Sequence, residues 1–170
     1  MIRTRTLTWL TILLLGLSAG VFFAFSVAIN PAFAHLEDTA YIAAMQHINR
    51  DIQNPIFFAA FFGVAILLPW LAVRLKKQGN HRQYVLMALS AVVYIVGVFG
   101  VTSMANVPLN DKLDKVVIAN HSAAELTIIR HDYRQPWESW HAVRTVASVV
   151  SLGLAAVAVV PTTPSERKRG

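Results

Sequence analysis

Four apolar runs constrain this chain more than anything else in it. Residues 7–29, 56–73 and 84–101 hold no charged side chain, and residues 142–160 hold only Arg144. A helix needs roughly 20 apolar residues to cross about 30 Å of hydrocarbon, and each run is close to that length. A water-soluble fold would have to bury all four runs within 170 residues and still cover its surface with polar groups. Composition argues against that, because 55% of the residues are hydrophobic and 14% charged. An ordinary soluble domain is roughly a quarter charged. The expected fold is therefore all-α: a four-helix transmembrane bundle forming one membrane domain over residues 1–170, with spans near 7–29, 56–75, 84–103 and 137–160.

The outer segments 30–55 and 104–136 are expected to carry two outer-face amphipathic helices. Leu36, Ala40, Ala43, Ala44, His47 and Ile48 recur near helical spacing within residues 36–52, as do Val117, His121, Ala124 and Ile128 within residues 115–131. Pro69 should kink or end the second span, and Pro136 should open the fourth, since proline suits a first helical turn. Arg3 and Arg5 before the first run, with Ala32-Phe33-Ala34 after it, imitate a secretory signal. Its apolar stretch of 23 residues exceeds the roughly 7–15 of a signal core, so an uncleaved span is expected. Gly16, Gly20 and Ala24 make a small-residue stripe on this span, and Gly97 and Gly100 a weaker one on the third; in lipid such stripes let helices approach closely.

Charge sets the expected orientation. Arg3, Arg5, Arg74, Lys76, Lys77, Arg82, Arg167, Lys168 and Arg169 fall on one side, with Glu166 as its single acid, and eight acids with six bases fall on the other. Basic residues concentrate on the inner side, which places both termini in the cytoplasm of a plasma or inner membrane. The net charge of +6 lies beside apolar spans, so the expected partner is membrane lipid with anionic headgroups, not nucleic acid. An oligomer is compatible with the sequence. The chain has no cysteine, which excludes disulfides, thiol catalysis and cysteine-ligated metal centres. It also lacks a phosphate-binding loop, a dinucleotide fingerprint and a nucleophile elbow.

The remaining polar residues gather at the outer ends of the spans. Trp137, Trp140, His141, Arg144, Thr145 and Ser148 follow one helical face, and a polar stripe on an apolar span must look into the bundle. Trp137 reads as an interfacial anchor. Arg144 lies inside the apolar run, where an unpaired guanidinium costs at least ~2 kcal/mol near the bilayer centre. It must snorkel, bind an anionic ligand or pair with a carboxylate, Asp111 and Asp114 being the natural partners. Asn106 and Asn110 flank Pro108, and Asn30-Pro31 ends the first span. Such amides cap helix ends by default, yet they also suit carbonyl or phenol oxygens. Five histidines (His35, His47, His121, His131 and His141) share the outer side, but none has metal-ligand spacing, and no metal site is assigned. His141 reads as a proton acceptor or hydrogen-bonding group beside Arg144.

Asn106-Val107-Pro108-Leu109-Asn110, followed by Trp137-x-x-Trp140-His141-x-x-Arg144-Thr145, resembles the DUF1772, or anthrone oxygenase-like, family of small integral membrane proteins. The Asn30-Pro31 exit and the hydropathy layout are similar too, and the resemblance spans residues 8–160. Some fungal members of that family are assigned as oxygenases converting anthrones to anthraquinones. The resemblance thus implies a small hydrophobic aromatic ligand, anthrone- or quinol-like, whose activated methylene loses a proton before reacting with dioxygen. On that footing His141 is the base and Arg144 stabilises the enolate or phenolate. Asn106, Asn110, Asn30 and Thr145 bind substrate, and Trp137 and Trp140 form an aromatic wall. The sequence names no metal or flavin cofactor. The alternative is a non-enzymatic membrane protein holding a lipid or small ligand in an outer-face cavity. The apolar inner halves of the spans argue against a transporter.

Overall fold

A computed structural model describes residues 4–161, and every regular element among them is helical. Four helices are long and apolar enough to cross a membrane: α1 (Thr4–Ala34), α3 (Pro55–Lys77), α4 (His81–Asp114) and α5 (Ala123–Val159). A shorter α2 (Asp38–Asp51) and a 3-10 turn (Ile118–Asn120) occupy the connections. The chain is an integral membrane protein built as a four-helix bundle. Arg3, Glu166, Arg167, Lys168 and Arg169, used above for orientation, lie outside the described residues.

Four spans bring the two ends of the described chain together. Arg74 and Gln78 donate to the Thr4 hydroxyl at 2.8 and 3.0 Å, and Arg82 donates to the Val157 and Val160 carbonyls. At the opposite end, called the lid end below, α2 and residues 115–122 cover the bundle. Large apolar side chains such as Leu13, Ile66, Val96, Met104 and Val146 point outward, as lipid permits and water does not. Inside, Leu15, Phe61, Val64, Leu68, Tyr94, Val98 and Ala155 form the core. In lipid, apolar burial between helices supplies little net drive, so close packing and interhelical hydrogen bonds matter more. Tyr94 donates to the Phe61 carbonyl at 3.1 Å and accepts from Ser18 at 3.2 Å, while Ser90 and Ser151 meet at 2.8 Å. The bundle interior is therefore more polar than the apolar runs suggest.

Prolines do not end these helices. A proline ring strikes the carbonyl four residues back, here that of Val27 for Pro31 and Met104 for Pro108. Widened π-helical turns at Phe25–Ile29 and Thr102–Asn106 move those carbonyls aside. So Asn30-Pro31 does not terminate α1, and Asn106 and Asn110 lie within α4 and cap nothing. Pro69 is internal to α3, which runs on to Lys77. Pro136 is internal to α5, whose true start is a capping box: Ser122 accepts from the Glu125 N–H, and the Glu125 carboxylate accepts from the Ser122 N–H at 2.7 Å. Residues 115–131 thus make no separate outer helix; they are a turn followed by the first turns of α5. Within residues 36–52 the chain does form a helix, α2, but it buries Tyr41, Ile42, Met45, Gln46 and Asn49 and not the expected alanine stripe, because the larger side chains pack on Leu113, Leu126 and Tyr133.

The helical stripes also change places. A Cβ on Gly16 or Gly20 meets nothing within 4 Å, so that stripe faces away from the bundle. A Cβ on Gly97 would lie 2.6 Å from Ala147 Cβ, which makes Gly97 the tight contact between α4 and α5. One clamp holds the lid end. Arg130 donates to the last carbonyls of α1 (Phe33 and Ala34), to Leu36 at 2.6 Å and to Asp38 at 2.8 Å, and its guanidinium lies 4.6 Å from the Tyr41 ring centre. The Thr127 hydroxyl and Arg130 together hold the Asp38 carboxyl below the usual carboxylate range. Burial pushes the Tyr41 phenol up.

Candidate functional site

Beneath α2 lies a cavity of about 260 Å³. Its walls are largely aromatic: Phe22 and Phe25 from α1, Phe57, Phe58, Phe61 and Phe62 from α3, Phe99 from α4 and Trp137 from α5. The polar groups are few. Asn49 and Gln53 come from α2 and the chain just after it, Thr102, Ser103, Asn110 and Asp111 from α4, and His141 and Arg144 from α5.

Arg144 is 8% exposed. Its guanidinium carbon lies 4.9 Å from the Phe22 ring centre and 5.0 Å from that of Trp137, within cation–π range of both. Nε donates to His141 Nδ1 at 3.1 Å, and a terminal nitrogen reaches the Thr102 hydroxyl at 3.5 Å, the edge of hydrogen-bonding range. Among the described residues no carboxylate pairs with it. The expected partners are elsewhere. α4 continues as a helix and carries Asp114 to Arg50 on α2, at 2.6 Å, while Asp111 lines the cavity without an ion pair among those residues.

His141 is buried and engaged on both sides. Its Nε2 lies 3.1 Å from the Phe22 carbonyl, and its Nδ1 receives the Arg144 Nε–H. These contacts put the ring hydrogen on Nε2 and the lone pair on Nδ1. The ring stacks on Trp137 with centres 4.9 Å apart and planes 7° from parallel. In this arrangement His141 aims the guanidinium, and both of its ring nitrogens are engaged. Asn110 is fixed in a similar way. Its Oδ1 accepts from Trp137 Nε1 at 2.8 Å and from the Tyr133 hydroxyl at 3.0 Å, which leaves its NH₂ as the free donor.

A family model described as anthrone oxygenase matches residues 43–154. The chain belongs to the anthrone oxygenase family. The match includes α3, α4 and the part of α5 that carries Trp137, His141 and Arg144. In this anthrone oxygenase family member, α1 adds Phe22 and Phe25 to the cavity from before the matched stretch. No curated protein and no solved structure matches the chain.

Of the residues singled out in the sequence, this family member gathers Asn110, Trp137, His141 and Arg144 around the cavity. Two stand directly behind it. Thr145 is buried and bonded to the His141 carbonyl at 2.8 Å and to Ser26 at 3.0 Å. Asn106 is buried and donates to the Trp137 carbonyl at 3.2 Å, with its Oδ1 unpartnered. Asn30 does not line this cavity; it lies in a second depression, shared with Arg134, Glu138 and the other side of His141. The two tryptophans exchange roles: Trp137 is buried and Trp140 is 45% exposed on the flank of α5, where it suits the anchoring role. Phenylalanines build the wall expected from Trp140. Four of them, Phe57, Phe58, Phe61 and Phe62, had a visible signal in their repeat of four residues along α3. Among the described residues no three His, Asp or Glu side chains converge as a metal site.

Proposed function

We propose that the protein is a membrane oxidoreductase of the oxygenase type, acting on a lipid-soluble anthrone- or quinol-like aromatic that binds as an oxygen anion beneath α2. The observation that carries this reading is Arg144, a buried guanidinium without a carboxylate partner among the described residues, held between two rings at an aromatic cavity. An uncompensated cation inside a membrane is costly, and a phenolate or enolate oxygen supplies the missing charge. Flat aromatic walls suit a flat ring system, and the Asn110 amide offers a second donor.

Loss of a proton from an activated methylene builds negative charge on the neighbouring oxygen. A fixed guanidinium at that oxygen lowers the barrier. Asp111, at the same cavity and without an ion pair among the described residues, is our candidate acceptor for that proton. The carbanion then adds dioxygen, and loss of water from the hydroperoxide leaves a carbonyl. CH₂ plus O₂ gives C=O plus H₂O, so no further electron donor enters the balance. One observation favours a second, non-enzymatic reading. Both His141 nitrogens are engaged, which leaves the deep end of the cavity without a base, as suits a protein that only holds an anionic aromatic or a lipid.

Oxygen uptake by the detergent-purified protein supplied with anthrone tests both readings. The oxygenase reading expects one O₂ consumed per carbonyl formed, and a loss of about a hundredfold in Arg144→Met, typical for removing an oxyanion donor. Binding of a hydroxyanthraquinone without oxygen uptake selects the second reading. Equal behaviour of wild type and Arg144→Met in both assays sinks the two together.

A further inference from the structure

We infer that the ligand reaches this cavity sideways from the bilayer, through a gap between α3 and the widened part of α4, and not from the water beyond α2. The inference rests on the functional reading above. The lining of the cavity is continuous with the lipid-facing surface of the bundle. Phe58, Phe62 and Val107 all line it, yet they are 37%, 43% and 41% exposed. At its deep end Trp137, His141 and Arg144 are buried. One space therefore runs from the outside of the bundle to the guanidinium.

The gap has a structural cause. Toward the terminal end α3 and α4 are closed by aromatic contacts, Phe61 stacking on Phe99 at 5.6 Å and Phe62 meeting Phe99 edge-on at 5.7 Å. Beyond Phe99 the α4 side of the cavity carries only modest side chains, Thr102, Ser103 and Val107, before the polar Asn110 and Asp111. The widened turn at Thr102–Asn106, just before Pro108, lies at this level. Rotation of Phe58 and Phe62, each about two side-chain torsions, would enlarge the opening on a nanosecond scale.

The water side is covered in part. α2 sets Ile48 and Asn49 over the cavity, beside the exposed rim residues Gln53 and Asp111, and three groups of polar contacts tie α2 down. Gln46 donates to the Leu113 and Val116 carbonyls at 2.7 and 2.9 Å, Arg50 pairs with Asp114, and Arg130 pairs with Asp38. Passage through the roof breaks such contacts, whereas passage through the lateral gap breaks none of them.

The chain has no cysteine, so single introduced cysteines report cleanly. Trp9→Phe, Trp70→Phe and Trp140→Phe leave Trp137 as the one tryptophan, and it lines the cavity. In phosphatidylcholine nanodiscs, quenching of Trp137 by lipid-dissolved 1,8-dihydroxyanthraquinone gives association and dissociation rates. A bulky maleimide on Phe62→Cys or Val107→Cys should slow association at least about tenfold relative to the same cysteine variant left unlabelled, since a blocked gate limits passage. The same label on Ile66→Cys, one turn along α3 and outside the cavity, should change neither rate, and on Gln53→Cys at the water-side rim it should slow association far less than at Phe62 or Val107. Slowing at Gln53→Cys with none at Phe62→Cys or Val107→Cys overturns the portal. Absence of quenching in the unlabelled protein is a different failure: it removes the anionic-aromatic reading of the cavity, and the portal with it.

Discussion

The single oxygen of the Asn110 side chain serves two donors, the indole of Trp137 and the phenol of Tyr133. Asn110→Leu would orphan both in a buried setting, at about 1–3 kcal/mol for each donor left unpaired. Thermal unfolding in detergent should show a clear loss of stability in Asn110→Leu and a smaller one in Tyr133→Phe, which leaves the Asn110 oxygen served by Trp137 and unpairs only the Asn49 amide. Asn110→Asp, which keeps the acceptor, should unfold close to wild type. Residues of this kind were legible in the sequence only where helical spacing singled them out. Trp137, His141 and Arg144 repeat at intervals of four and three, and that local regularity survives folding. Trp140 fell into the same stripe by spacing alone, but a residue three positions from Trp137 lies on the flank of α5 and one four positions away lies beneath it. The phenylalanines of α1 were hidden for another reason. In a membrane protein an apolar face turned inward and one turned to lipid have the same composition, so Phe22 and Phe25 carried no mark to separate them from Phe23.

At the scale of helices, the number of spans was plain from hydropathy, while their ends were not. Proline was read as a terminator, although widened turns absorb Pro31 and Pro108. The Ser122–Glu125 capping box was present in the sequence and marks the start of α5 better than Pro136 does. Small residues misled in the same way, since glycine spacing does not say which face meets a neighbour. Gly97→Ala would drive a methyl into Ala147 and should destabilise the bundle by about 1–3 kcal/mol, as overpacking usually does. Gly20→Ala, with open space around it, should be neutral or stabilising by up to about 1 kcal/mol through helix propensity. Comparing the two melting temperatures checks the assignment. The clamp on α2 gives a pH dependence of known sign. The Asp38 carboxyl titrates lower in the folded protein than in the unfolded chain, so its contribution is complete above the ordinary carboxylate range and is lost as pH falls through the folded value. Acidification through that window should raise amide hydrogen exchange in α2 before it does so in α3 or α4. Asp38→Asn should abolish the pH dependence and not merely shift it.

At the scale of the molecule, an even number of spans puts both described ends on one side, and the basic residues Arg74, Lys76, Lys77 and Arg82 share that side. We propose that it is the cytoplasmic side of a plasma or inner membrane. An impermeant thiol reagent applied to intact cells should label Ala119→Cys at the lid end and spare Asn80→Cys until the membrane is opened; the reverse pattern would invert the topology. Within this frame α5 is the longest element, with 37 residues, or about 55 Å of helix at 1.5 Å per residue. It bears Arg130, which fastens the roof, and Arg144, the residue we propose meets the ligand. Transmembrane helices answer a change of bilayer thickness by tilting, and a rod of this length turns a tilt of a few degrees into a shift of several ångströms at its tip. Roof height and guanidinium position then move together, and on the proposed reading the hold of the site on an anionic aromatic varies with how thick the surrounding lipid is.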